Sequence, residues 1–86
     1  MFGGRQEKVT LLCEDSLAGV ILDRFGKDVM MVSQGEHAFR VSVDIAVSPQ
    51  FFGWAAGLGI GVQILRPESV RKEFLAYLQN ICGNYQ

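Results

Sequence analysis

Apolar and polar positions alternate most regularly between His37 and Val47. His37, Phe39, Val41, Val43, Ile45 and Val47 share one parity; Ala38, Arg40, Ser42, Asp44 and Ala46 share the other. A period of two over this stretch predicts a long strand with one buried face. Upstream, Lys8 to Glu14 is β-branched and apolar, with Val9, Leu11 and Cys13 on one side, which predicts a first strand. Asp15 or Ser16 then offers a helix N-cap. Leu17, Val20, Ile21 and Phe25 follow at helical spacing, and Gly26 stands where a helix commonly stops. Val29 to Val32 reads as a short strand, joined by the turn Ser33-Gln34-Gly35-Glu36 to the long strand in a hairpin. Ser48-Pro49 matches the N-cap and first-turn preferences of a second helix. That helix, Pro49 to Leu58, is apolar nearly all round and therefore expected to be buried, with Gly59 as its stop. Ile60 to Leu65 predicts a last strand with Ile60, Val62 and Ile64 on one face. Arg66-Pro67-Glu68 opens a final helix with Pro at its first position, and Val70, Phe74, Tyr77, Leu78 and Ile81 form its apolar stripe.

The resulting order, β-α-β-β-α-β-α, predicts an α+β fold. Its first six elements match a ferredoxin-like βαββαβ sandwich: a four-stranded antiparallel sheet with two helices on one face, here with an added C-terminal helix. Right-handed crossovers place the first and third strands in the centre. The opposite face would then carry Thr10, Leu12, Glu14, Arg40, Ser42, Asp44, Gln63 and Leu65. Such a face is either a solvated antiparallel sheet or a surface for another domain, a twin chain or a ligand. Leu12 and Leu65 make it more apolar than a lone monomer needs, so both are interface candidates.

Length and charge narrow the choice of function. Eighty-six residues make one small domain, read as 8–86 after a flexible lead-in or linker over 1–7 that contains Gly3-Gly4. Eight basic and nine acidic residues give a net charge of −1, unlike the basic excess of a dedicated nucleic-acid binder. No apolar run reaches the ~20 residues of a membrane span, and no signal peptide is recognisable. Two cysteines in an apolar chain point to a reducing compartment rather than a disulfide framework.

Catalytic patterns are sparse. The serines have only His37 as a conceivable base, and no G-x-S-x-G surrounds any of them. Cys13 and Cys82 form no C-x-x-C, and a single histidine argues against a His-based metal site within the chain, so no cofactor or metal is expected. Gly57-Leu58-Gly59-Ile60-Gly61 follows a helix and opens a strand, the reverse of a phosphate-cradling loop, and reads as a helix stop with a tight turn. Phe51, Phe52 and Trp54 are core residues on this reading, with Trp54 also an interface candidate because tryptophan is enriched in binding hot spots.

From Trp54-Ala55-Ala56-Gly57-Leu58-Gly59 through Val62-Gln63-Ile64-Leu65-Arg66-Pro67, the sequence resembles the WCX domain. This is the C-terminal extension that follows the WYL domain in bacterial transcription regulators. Tyr85 near the end, Phe25-Gly26 and Arg40-Val41-Ser42-Val43 also fit; Val70-Arg71 departs mildly from the usual leucine-arginine. The resemblance covers nearly all of residues 8–85. It implies a non-catalytic, cytoplasmic module acting in dimerisation, in effector sensing (nucleotide or nucleic acid included), or in both. Its partners would be a second copy and the WYL and helix-turn-helix domains of a parent regulator, with DNA reached only through that parent and no membrane involved. The chain would be an excised fragment or a free-standing remnant. Arg40 and Arg71 are the candidate anion contacts, because guanidinium binds phosphate or carboxylate in bidentate fashion. The alternative is a stand-alone ferredoxin-like domain for small-molecule binding and dimerisation. An acyl-phosphate hydrolase on this fold is disfavoured by the acidic loop Glu14-Asp15, and an RNP-type RNA binder by the lack of exposed aromatics on the central strands.

Overall fold

The computed structural model describes residues 5–86. Strand β1 (Gln6–Glu14) leads through a 3-10 turn (Asp15–Leu17) into helix α1 (Ala18–Phe25). The hairpin strands β2 (Met31–Gln34) and β3 (Ala38–Ala46) follow. Helix α2 (Pro49–Gly57), a second 3-10 turn (Gly59–Gly61), strand β4 (Val62–Arg66) and helix α3 (Glu68–Gly83) complete the chain. The four strands form one antiparallel sheet in the order β2-β3-β1-β4, with β1 and β3 central as expected. The architecture is α+β.

One core lies on one side of the sheet. Val9, Leu11 and Cys13 of β1 meet Phe39, Val41, Val43 and Ile45 of β3 and Val62 and Ile64 of β4. Ile21 of α1, Phe51 and Phe52 of α2, and Val70 of α3 close over them. All three helices therefore cover the same face. Helix α2 starts as its sequence requires: Ser48 is the N-cap and its Oγ accepts a hydrogen bond from the Phe51 N–H at 3.2 Å, with Pro49 next in the chain. Trp54 packs edge-on against Phe25 at 5.4 Å between ring centres, and Arg24 lies over its ring at 5.1 Å. This ties α2 to α1.

Several sequence expectations are corrected. β1 starts at Gln6, two residues early, and the Val47 N–H donates to the Arg5 carbonyl just before it. The expected lead-in over residues 1–7 thus overlaps the strand at its end, and residues 1–4 lie outside the described residues. Neither Asp15 nor Ser16 caps α1 with its side chain; the 3-10 turn occupies that place and Leu17 is the N-cap. β2 sits two residues downstream of the predicted run, and the turn is Gly35-Glu36-His37, with Gly35 at φ +73°. His37 therefore projects from the hairpin tip, its side chain 93% exposed, and is not on the buried face. Ile60 belongs to the second 3-10 turn and is 99% exposed, because Gly59 at φ +64° turns the chain before β4 begins. Pro67 is the N-cap of α3 rather than its first helical residue, and its carbonyl accepts from the Val70 and Arg71 N–H groups.

The stripe of α3 is buried only in its first half. Val70 is fully buried and Phe74 and Tyr77 pack on Phe52, whereas Leu78 and Ile81 are exposed. Length explains this. Sixteen helical residues span about 24 Å, whereas the five residues of β4 beneath them span about 17 Å.

Candidate functional site

The helix-free face of the sheet carries a cleft of about 240 Å³ lined by Thr10, Met30, Val32, Arg40, Val41, Ser42 and Arg66. Strand register assembles it. Thr10 on β1 faces Ser42 on β3 across one ladder and Arg66 on β4 across the other. Arg40 stands two residues from Ser42 on the same face of β3, between Leu12 of β1 and Val32 of β2. The Thr10 and Ser42 hydroxyls are 3.1 Å apart and hydrogen-bonded.

Arg66 reaches this face through a β-bulge. Leu11 pairs with Ile64, and the next partner along, Thr10, pairs with Arg66, so Leu65 is an extra residue in β4. A bulge inserts one residue and re-aims the side chains beyond it. Without it, alternation would set Leu65 beside Thr10 and turn Arg66 toward the helices. The two arginines thus flank a pair of hydroxyls. Among the described residues neither has an ion-pair partner, and the Nε of Arg40 is buried without a hydrogen bond. Buried polar groups are ordinarily hydrogen-bonded, so an orphaned guanidinium N–H beside a cleft marks a place for an acceptor.

A second cleft, about 510 Å³, shares Met30 and Ser42 with the first and continues past Lys8, Phe25, Asp28, Val29, Val43 and Asp44. Lys8 and Asp44 are 3.7 Å apart there. The charge along the groove therefore changes from two unpaired cations to a neutral and acidic stretch.

The other expected site residues fall elsewhere. Arg71 is on α3, 3.4 Å from Glu68, and lines a separate hollow with Glu68, Lys72 and Leu75; it is not brought together with Arg40. Leu12 is half-buried beside Arg40, and Leu65 is half-buried at the bulge. Trp54 sits between α1 and α2, on the helical side. Alternation places Thr10 and Ser42 on this face beside Arg40, as the structure does, but it gives no sign of Arg66. Arg66 reads as the residue before a helix, and a bulge leaves no mark in the side-chain pattern. The one available signal was the parity of Thr10, Arg40 and Ser42 on a polar face.

No hydrogen bond joins Ser16 to His37 among the described residues, although both rim a hollow with Glu14 and Asp15. Cys13 is buried, which pushes its thiol up to about 11, and Cys82 is exposed. No group of three or more His, Cys, Asp or Glu side chains among the described residues could hold a metal ion. No helix is long and apolar enough to cross a membrane.

The fold and cleft define an α+β module with a helical face and an open sheet face that bears a cationic cleft. The WCX domain family matches residues 5–82, and the chain belongs to that family. No curated protein and no solved structure matches it.

Proposed function

We propose that this domain is a non-catalytic regulatory module of a bacterial, cytoplasmic WYL-type transcription regulator, working through self-association and effector sensing. The observation that carries this reading is the WCX match over residues 5–82. We read the fold as ferredoxin-like with an added C-terminal helix; the central placement of β1 and β3 and the succession of elements support that reading. The partners are a second copy and the WYL and helix-turn-helix domains of the parent, which alone contacts DNA. An effector that binds one arrangement of the module better than another shifts the population of the attached DNA-binding domain.

Light scattering coupled to size-exclusion chromatography over a wide concentration range tests the self-association. The expected mass is twice 9.5 kDa. A monomer at every concentration removes self-association by this domain alone. A stand-alone small-molecule-binding domain is the second reading, favoured by the cleft between Arg40 and Arg66. A helix-turn-helix encoded upstream in the same reading frame would decide against it.

A further inference from the structure

We propose that the Arg40–Arg66 cleft binds the phosphoryl group of a small phosphate monoester, with the organic part resting on Met30 and Val32. This deepens the effector-sensing reading above and rests on it.

Three observations carry the proposal. First, two arginines line one cleft with no carboxylate partner among the described residues. Like charges placed close together on a sheet repel, and a dianion between them relieves that repulsion. Second, the Nε of Arg40 lacks an acceptor, and of the Thr10 and Ser42 hydroxyls, bonded to each other, one keeps its proton free, so this O–H and the arginine N–H groups offer donors to several oxygens of a tetrahedral group. A carboxylate, with two oxygens and one charge, would use fewer of them. Third, the groove beyond the arginines is lined by Asp28 and Asp44, with Lys8 already beside Asp44. A polyanion lying along it would meet carboxylates after its first phosphate. A nucleic-acid strand is disfavoured for that reason, and a ligand with one phosphoryl group fits. The apolar neighbours Met30 and Val32 are both exposed at the rim and would cover a ring or short chain attached to the phosphate.

The test is an NMR titration of the 15N-labelled domain with phenyl phosphate, benzoate and a thymidine oligonucleotide about ten residues long. Phenyl phosphate is expected to move the amide signals of Thr10, Arg40, Ser42 and Arg66 saturably. Its affinity is expected to fall about tenfold or more in Arg40→Gln and in Arg66→Gln, as one charge-assisted contact is lost. Arg71→Gln is expected to leave it unchanged. Spectra of the free variants report whether each is folded, and Arg66→Lys, which keeps the charge but not the fork, is expected to recover part of the loss. Benzoate binding as tightly as phenyl phosphate would overturn the phosphoryl assignment. Tighter binding of the oligonucleotide through the same residues would overturn the small-ligand assignment. No saturable shift with phenyl phosphate up to about 20 mM, well beyond a Kd of about 1 mM, would overturn the site. None of these outcomes depends on the mass of the domain in solution, so the failure of the site and the failure of self-association are read separately.

Discussion

Cys13 and Cys82 carry the same thiol in opposite surroundings. Cys13 is 1% exposed under the helices, while Cys82 is exposed near the end of α3, where its sulfur accepts from the Gln86 amide at 3.3 Å. A thiol reagent should therefore label one cysteine in the folded domain and the second only on unfolding, because the thiolate is the reactive form and burial disfavours it. Mass spectrometry of the labelled peptides checks the order. The same burial links stability to pH. The Cys13 thiol ionises at about 11 in the folded chain against 9.0 ordinarily. The folded value is the higher, so the contribution is complete below pH 9 and is lost as pH rises toward 11. The loss amounts to about 1.4 kcal/mol for each unit of separation. Urea melts at pH 8 and at higher pH measure it; a Cys13→Ala chain should lose that dependence.

At the scale of elements, the helix-to-strand link between α2 and β4 shows which glycines matter. Gly59 has φ +64°, and Gly57 ends α2 with open space around its Cα. Gly59→Ala should cost about 1 kcal/mol or more, because a Cβ is strained in the left-handed region. Gly57→Ala should be neutral or stabilise by up to about 1 kcal/mol through helix propensity. Denaturant midpoints of the two variants check the contrast. Both glycines lie in a run that reads as a helix stop, and that reading describes the structure. The order of the elements was legible because each has its own signal: alternation in β3, the Ser48-Pro49 cap of α2, and Gly26 after α1. Ile60 was misassigned because its parity continues that of Val62 and Ile64 through a turn whose backbone, not its side chains, breaks the strand. The site was only half legible. Arg40 follows from alternation, whereas Arg66 depends on hydrogen-bond register between strands far apart in sequence, which no local pattern records.

For the whole molecule, the helices share one face and, among the described residues, leave two surfaces without internal partners: the sheet face with its cationic cleft, and the far half of α3. Leu78 and Ile81 are exposed there, Leu75 at mid-helix, and Tyr85 just beyond the helix end. The near half of α3 is held by the core and by Arg5, whose guanidinium bonds Glu73 on α3 and Glu7 at 2.7 Å on β1. Those carboxylates raise the pKa of Arg5 above its ordinary value, the Glu73 hydrogen bond being the larger cause. Arg5, just before β1, is thereby linked to the near half of the helix after β4. A dimer in the light-scattering experiment that dissociates on Leu78→Ser with Ile81→Ser would assign the association to α3. One that survives those changes would direct attention to the sheet face, and phenyl phosphate should then alter its dissociation constant.

The extra residue in β4 also determines what a gene encoding this domain can lose. Removing a single codon from the middle of a strand normally inverts every side chain downstream of the gap. Here, deletion of Leu65 would join Ile64 to Arg66 and restore regular alternation, with Arg66 still opposite Thr10 and α3 still close behind. The shortened chain should fold, keep its affinity for phenyl phosphate, and differ mainly in the packing of one half-buried leucine. Deletion of Val43 from the middle of β3, which pairs with β1 in unbroken register, has no such slack to absorb it and should unfold the domain. Circular dichroism of the two deletions, compared side by side, would separate the two fates.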